Sequence, residues 1–383
     1  MAKTGDPFIM LRWILLMDVS NNKITKYCNI FLTTVYSLVL CLQIYYILKN
    51  YDINLLIKYG PITTLLLFMI TVAVISLLLQ KEIFETDTFI RETCWPLNII
   101  QKSGQIKAER KCRTINFYIG STFLLFLSVL ILNYPCFGSQ RDFFICIEMF
   151  EEYFGEWSSV FYYLYFIGSH FLYYRLFQTS YLFVYGMLEA NLQFFLIEEY
   201  LLQTYQTDCL KRCKYLQDTR YQQEIGKSLR FCIKHHIALK KLVKMVVNLG
   251  VLAMPFFLVF GVLLLISCFT FITNFADTMS NILKIRIFMF VSSTVAIALL
   301  LCWIGQQLID VTSDIFFTLG GAPWYNWNLD NIKLLLMFIT NCTKNESMVL
   351  AGIRADYDLF VSLLRISASY ALVLLKLRKC TFV

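Results

Sequence analysis

The chain has 383 residues, of which 58% are hydrophobic and 16% are charged, and its formal net charge is +8. This composition is typical of a protein that lies mostly in lipid, and it argues against a pair of water-soluble domains. Six prolines and fifteen glycines leave little length for linkers.

Seven stretches are long and apolar enough to cross a bilayer, because a crossing helix needs about 20 mostly apolar residues. Helices are expected because lipid cannot satisfy bare backbone groups, and no stretch alternates like a barrel strand. The predicted spans are 27–48, 61–79, 115–134, 157–185, 242–272, 287–308 and 357–377. They predict an all-α membrane protein that forms one seven-helix transmembrane domain over residues 1–383.

Lysine and arginine alternate between the connections on the two sides of these spans. Most of the 34 lie in the N-terminal arm, 80–114, 186–241 and 309–356. Because these residues favour the cytoplasmic side, the N-terminus is predicted to be cytoplasmic and the C-terminus extracellular. The positive net charge then reports topology, and no clustered basic face indicates binding to nucleic acid.

The N-terminal arm lacks the pattern of a cleaved signal peptide. Its apolar segment from Pro7 to Met17 is short and broken by Arg12, so it is expected at the membrane surface. The loop from Pro135 to Glu156 is acidic, which fits either an outer vestibule that concentrates cations or a solvated charge run. Cys136 and Cys146 share this loop, where they either pair or remain separate thiols.

Catalytic and metal-binding patterns are weak. The histidines His170, His235 and His236 have no acidic partner at metalloprotease spacing. The thirteen cysteines are scattered without CxxC spacing. An enzyme is therefore not expected, and neither is a metal site or another cofactor. The sequons at Asn341 and Asn345 fall on the predicted cytoplasmic side, where they stay unmodified.

In each of two predicted spans, a stripe of mostly polar or aromatic residues recurs along one helical face. In the fourth span the stripe consists of Tyr162, Phe166, His170, Tyr174 and Gln178. An ionisable residue within a span usually faces a cavity or a partner, so this stripe either lines a pocket or packs between helices. In the seventh span the stripe consists of Ser362, Arg365, Ser369, Val373 and Lys376. In lipid, that largely polar face must meet protein partners or water.

The second half of the chain carries three motifs of a known family. The first is Cys232-Ile233-x-x-His236, which leads into the fifth span. The second runs from Gly305 to Ser313 and is followed by Trp324-Tyr325. The third is Ser369-Tyr370 in the last span. In this order on an inverted seven-span chain, the motifs resemble those of the insect odorant receptors, although Gln306 and Asp310 depart from the usual Asn and the common Glu.

The resemblance implies a ligand-gated cation channel of four subunits, opened by a small volatile odorant, with the last helix of each subunit around the pore. The long second cytoplasmic loop of the family's co-receptor is missing, so the chain resembles a ligand-tuning subunit that assembles with co-receptor subunits. It implies a plasma-membrane location, in the dendrite of a sensory neuron. Residues 1–356 would form the ligand-sensing bundle with its cytoplasmic extensions, and residues 357–383 the pore helix and tail.

Site residues follow from helix depth, aromatic facing and the terminal motif. The expected ligand-binding residues are Phe68, Phe126, Leu130, Tyr162, Phe166, His170, Met289 and Ser292. By the match to the terminal motif, the expected pore residues are Val373, Lys376 and Leu377.

Two other receptor classes remain as alternatives. Gustatory receptor channels share the terminal motif. A G-protein-coupled receptor would have the opposite orientation, with its C-terminus in the cytoplasm.

Overall fold

Helices account for almost the whole chain in the computed structural model. The structure describes residues 7–15, 23–133, 144–209, 218–275, 279–350 and 352–381. The α-helices in these ranges are α1 Ile9–Ile14, α2 Lys23–Lys49, α3 Ile53–Leu78, α4 Gln80–Thr93, α5 Lys102–Leu132, α6 Ile145–Phe154, α7 Ser158–Cys209, α8 Thr219–Phe275, α9 Asn281–Gly320, α10 Leu329–Cys342 and α11 Tyr357–Thr381. The strands β1 Val349–Leu350 and β2 Ile353–Arg354 form a small antiparallel hairpin. The all-α fold class is confirmed.

Each predicted span lies within one long helix, and no predicted span end extends more than two residues beyond that helix. Among the described residues, α2, α3, α5, α7, α8 and α9 are long and apolar enough to cross a membrane. Helix α11, which contains the predicted seventh span, is not in that set. Within α11 the structure describes the side chains of residues 357–373 and of Lys376, a stretch shorter than a crossing helix needs. The seventh crossing and the sides of the two termini stay predictions.

Three shorter helices occupy stretches that the sequence patterns treat as loops. The mixed-charge connection 80–114 is not a loop, because α4 and the first turns of α5 fill most of it. Helix α6 occupies part of the acidic loop, and α10 fills the connection before the last span. Each is amphipathic and too short for a span; α6, for example, buries Ile145, Cys146, Met149 and Phe150. Cys136 lies outside the described residues, so its pairing with the buried Cys146 stays a prediction.

Helices α7, α8 and α9 extend well beyond a bilayer. They contain 52, 57 and 40 residues, and at about 1.5 Å per residue each exceeds the hydrocarbon core of about 30 Å. Helix α10 packs on the extended part of α8. There the His236 ring lies 5.2 Å from the Phe338 ring, and His236 Nε2 lies 3.5 Å from Cys342 Sγ. The Cys232-Ile233-His236 motif is buried, so its residues form the core of this extension.

One side of the N-terminal segment packs against the helical bundle, and its other side is exposed. Phe8, Leu11 and Leu15 are fully buried, while Trp13 is exposed. The hydroxyl of Tyr174 donates to the carbonyl oxygen of Ile14 at 3.2 Å. The short helix α1 is thus anchored to α7, and its exposed tryptophan fits the expected place at a membrane surface.

Candidate functional site

A cavity of about 140 Å³ lies within the membrane-spanning part of the bundle. Helices α3, α5, α7, α8 and α9 surround it, and the first turns of α11 complete its wall. An apolar cavity of about 150 Å³ is large enough to hold benzene. The space therefore suits a small molecule of about one aromatic ring.

Aromatic side chains form much of the cavity wall. The Phe68 ring lies 5.1 Å from the Phe257 ring and 5.3 Å from the Phe260 ring. The Phe126 ring lies 4.6 Å from that of Phe177. These rings bring large apolar area to a ligand, and their contacts, which include an edge-to-face pair of Phe68 with Phe257, hold them in place without polar groups.

Few polar groups reach the cavity. The Ser180 hydroxyl donates to the Leu176 carbonyl at 2.9 Å, and the Thr294 hydroxyl donates to the Phe290 carbonyl at 3.0 Å. Each hydroxyl donates its proton to a carbonyl oxygen of its own helix, so towards the cavity its oxygen can only accept a hydrogen bond. Tyr173 and Ser293 also line the cavity. The site can therefore hold an apolar ligand and orient one polar group on it.

Helix α11 presents two different faces. Leu359, Phe360, Leu363 and Leu364 line the cavity, and Ser367 and Ala371 continue the same face as buried residues. The predicted stripe, Ser362, Arg365, Ser369, Val373 and Lys376, is exposed on the opposite face. Leu377 belongs to the helix, but the structure describes its backbone alone. One helix thus connects the cavity with an outward-facing polar stripe.

The structure separates the predicted ligand-binding residues into groups. Phe68 and Phe126 line the main cavity. Leu130, Phe166 and His170 line a second space of about 10 Å³. The Tyr162 ring lies 4.9 Å from the Phe166 ring, next to that smaller space. Met289 and Ser292 are half-buried on α9 and are not among the lining residues of the main cavity.

Sequence reasoning missed the contributions of α8 and α11 to the main cavity. Met254, Phe257 and Gly261 of α8 line it, and Gly261 leaves open space where a side chain would stand. Tyr173 lines both the main and the smaller cavity, so it lies between them. The aromatic residues and the glycine of α8 could have indicated this wall from the sequence, since glycine in a helix often marks a packing or functional requirement.

The start of α11 is held tightly at the predicted cytoplasmic end of the cavity. Asp356 caps the helix, accepting from the Leu359 backbone N–H at 3.1 Å and from Arg354 Nε at 2.6 Å. Burial opposes ionisation of Asp356, but these hydrogen bonds outweigh it, so its pKa lies below the ordinary value. Beside it, Gly305 of α9 lets the Ala355 carbonyl approach so closely that a Cβ at residue 305 would lie 2.0 Å from its oxygen.

Solved structures of an olfactory receptor share this architecture. The insect olfactory receptor OR5 from Machilis hrabei matches with a TM-score of 0.65 and 10% identity, over 92% of this chain and 88% of that chain. Its complex with eugenol matches with a TM-score of 0.69 and 12% identity, over 97% of this chain and 100% of that chain. The chain has the insect odorant receptor fold. No protein-family model matches the sequence, and no curated protein matches it.

The shared fold confirms the fold that the three sequence motifs imply. Both solved neighbours are receptors by name, not enzymes. At 10–12% identity the likeness establishes the fold alone, so ligand and pore assignments rest on the residues of this chain. The eugenol complex shows that the neighbour holds a small aromatic molecule.

Proposed function

We propose that this chain is an odorant receptor subunit that forms an odorant-gated, non-selective cation channel with co-receptor subunits. The arrangement of α11 carries the proposal, because one face of this helix lines the ligand-sized cavity and the other exposes the polar stripe. In lipid, exposed polar side chains require partner chains or water. A pore shared between subunits supplies both.

In this proposal α11 can take two positions, and the ligand makes more contact with one of them than with the other. A molecule in the cavity touches Leu359, Phe360 or Leu363, and it favours whichever helix position gives it more contact. Residues 1–356 sense the ligand, and residues 357–383 form the pore helix and tail. Because Leu359, Phe360 and Leu363 line the cavity, the first turns of the pore helix also take part in sensing in this proposal.

Coexpression with co-receptor subunits tests the proposed function. Cells that make both chains are expected to give inward cation currents with a panel of small aromatic volatiles, eugenol included, while cells that make either chain alone stay silent to most of the panel. A tag at the C-terminus is expected to be accessible to antibody on intact cells. Silence of the coexpressing cells across the panel, with both chains at the surface, would contradict the proposal, and a tag accessible only after permeabilisation would favour a G-protein-coupled receptor.

Lys376 provides a separate test of the pore assignment. Its side chain is exposed on the outward stripe of α11, where a positive charge repels permeating cations. A single charge near the conduction path raises the barrier by about 1 kcal/mol, or roughly fivefold in cation passage. Lys376→Gln is therefore expected to raise single-channel conductance, and Lys376→Glu to raise it further, with the rank order of odorants unchanged. Lys333→Gln, an exposed lysine on α10, is the matched control; equal conductance for Lys, Gln and Glu at residue 376 would remove this residue from the pore.

A further inference from the structure

A buried arginine lies where α2, α3 and α7 meet, near the predicted cytoplasmic side of the bilayer. Arg175 is 9% exposed, and its Nε donates to Asn29 Oδ1 at 3.0 Å. Its second donor reaches Gln178 Oε1 at 2.6 Å, and Gln178 in turn donates to the Leu15 carbonyl at 2.6 Å. In the part of the chain that the structure describes, no carboxylate forms an ion pair with Arg175. A buried cation without a counter-charge is costly.

A polar cavity of about 50 Å³ opens beside this arginine. Asn29, Arg175 and Gln178 form one part of its wall, and Asp87 of α4 forms another. The charge of Asp87 is already offset, since its carboxylate lies 2.8 Å from Arg91 and 3.8 Å from Arg12. Arg175 and Asp87 are the charged residues of the cavity wall, and because Asp87 is paired with Arg91 and Arg12, the net charge beside the cavity is positive and favours an anion. Its volume corresponds to a few water molecules, which is about the size of a phosphate group.

A shallow apolar groove, which encloses only about 10 Å³, continues from the polar cavity. Both spaces share Asn29, Ser76, Leu77 and Arg175 in their walls. Beyond these residues the groove is lined mainly by apolar side chains, namely Leu32, Ala73, Phe171 and Leu172. Asn29 and Ser76 lie close to the cytoplasmic ends of their predicted spans, so the polar cavity falls at headgroup depth and the groove runs into the hydrocarbon. The groove is too small to enclose an acyl chain, but its wall residue Phe171 is exposed, so a chain can lie over the groove on the outer surface.

We propose that this site binds an anionic phospholipid of the cytoplasmic leaflet. The phosphate lies against the Arg175 guanidinium and the Asn29 and Gln178 amides, and one acyl chain lies on the outer surface over the groove, against the exposed Phe171. The cytoplasmic leaflet is rich in such lipids, and basic pockets between membrane helices are known to take their headgroups. The bound lipid joins α2, α3 and α7 and steadies the N-terminal segment, which Gln178 holds through Leu15.

Thermal unfolding of the full-length protein in detergent tests the site. Phosphatidylserine is expected to raise the melting temperature more than phosphatidylcholine at equal concentration. Arg175→Gln removes the charge and is expected to weaken the selective binding of phosphatidylserine about tenfold, as expected for a charge-assisted hydrogen bond. Ser76→Phe fills the cavity from α3 without touching the hydrogen bonds of Arg175, and it is expected to abolish the preference. Arg113→Gln, an exposed arginine on α5, is the matched control and should keep the preference.

Each outcome decides the proposal. Loss of the preference in Arg175→Gln and Ser76→Phe, with Arg113→Gln unchanged, supports it. Equal effects of the two lipids on the wild-type protein overturn it, and so does a full preference in Ser76→Phe, which keeps the arginine in place. Inorganic phosphate at the same concentration is expected to have no effect, because it lacks the acyl chain; a shift as large as that of phosphatidylserine would mean a free-anion site instead. None of these measurements depends on channel activity.

Discussion

Replacing Ala298 with phenylalanine is expected to abolish the odorant response of coexpressed channels. Ala298 lines the main cavity from α9, and the added ring would occupy much of a space of about 140 Å³. A small ligand that buries about 200 Å² of apolar surface gains about 5 kcal/mol at ~25 cal/mol/Å². Loss of that contact raises the half-maximal concentration at least about 100-fold, since each 1.4 kcal/mol is a factor of ten. Dose–response currents across an odour panel measure the effect.

The neighbouring residue supplies a matched control. Leu299 is exposed on α9 and does not line the cavity, so Leu299→Phe is expected to leave the dose–response curves unchanged. Ala298→Val removes less space and should spare the smallest ligands while weakening the larger ones. Wild-type potency in Ala298→Phe, with normal surface labelling, would show that this cavity does not hold the ligand.

The long helices could be predicted because their apolar length is itself the signal. A stretch of about 20 apolar residues has few alternatives to a helix in lipid, so each span coincides with a helix. Helices α4 and α10 carry mixed charge and only a narrow apolar face, which buries Asn331, Leu335, Phe338 and Cys342 in α10. From the sequence alone, a stretch with such a face cannot be told from a solvated loop, because the helix that it packs against is not known.

The cavity was harder to predict, because it depends on the rotation of each helix about its axis. On α9 the sequence reasoning selected Met289 and Ser292, whereas the structure places Phe290 and Ser293 at the cavity. One residue corresponds to about 100° of rotation on a helix, so this small difference moves a side chain from one neighbouring helix to another. Phe68 and Phe126, which were selected for their depth along the bundle, do line the main cavity, and their role in ligand binding stays a prediction.

On α11, too, one face could be predicted from the sequence and the other could not. Its polar stripe could be read from spacing, because charged and hydroxyl residues in a span are conspicuous. Its cavity face consists of Leu359, Phe360, Leu363 and Leu364, which are ordinary residues for any membrane helix. Only the contacts with α8 and α9 show that this face meets a space and not a packed core.

Gly305→Ala is expected to be the most damaging small substitution at the base of the pore helix. A Cβ at residue 305 would lie 2.0 Å from the Ala355 carbonyl oxygen, and backbone cannot move aside as a flexible side chain can. Ala355 is tied to Met348 by a backbone hydrogen bond of 2.9 Å, and Asp356 follows it as the cap of α11. Relief of the clash must therefore displace the hairpin and the start of α11 together. Overpacking of this kind costs about 1–3 kcal/mol.

The expected result for Gly305→Ala is a lower melting temperature together with odorant currents that are lost or no longer depend on the ligand, because the cavity wall and the pore helix move as one. Gly120→Ala on α5 is the matched control, since no atom lies within 4 Å of its added Cβ, and alanine favours a helix over glycine. The clash is with a main-chain oxygen, so adding Ala355→Gly is not expected to rescue the variant. Rescue by Ala355→Gly, or normal stability and gating in Gly305→Ala, would show that the close approach of α9 to Ala355 does not position the pore helix.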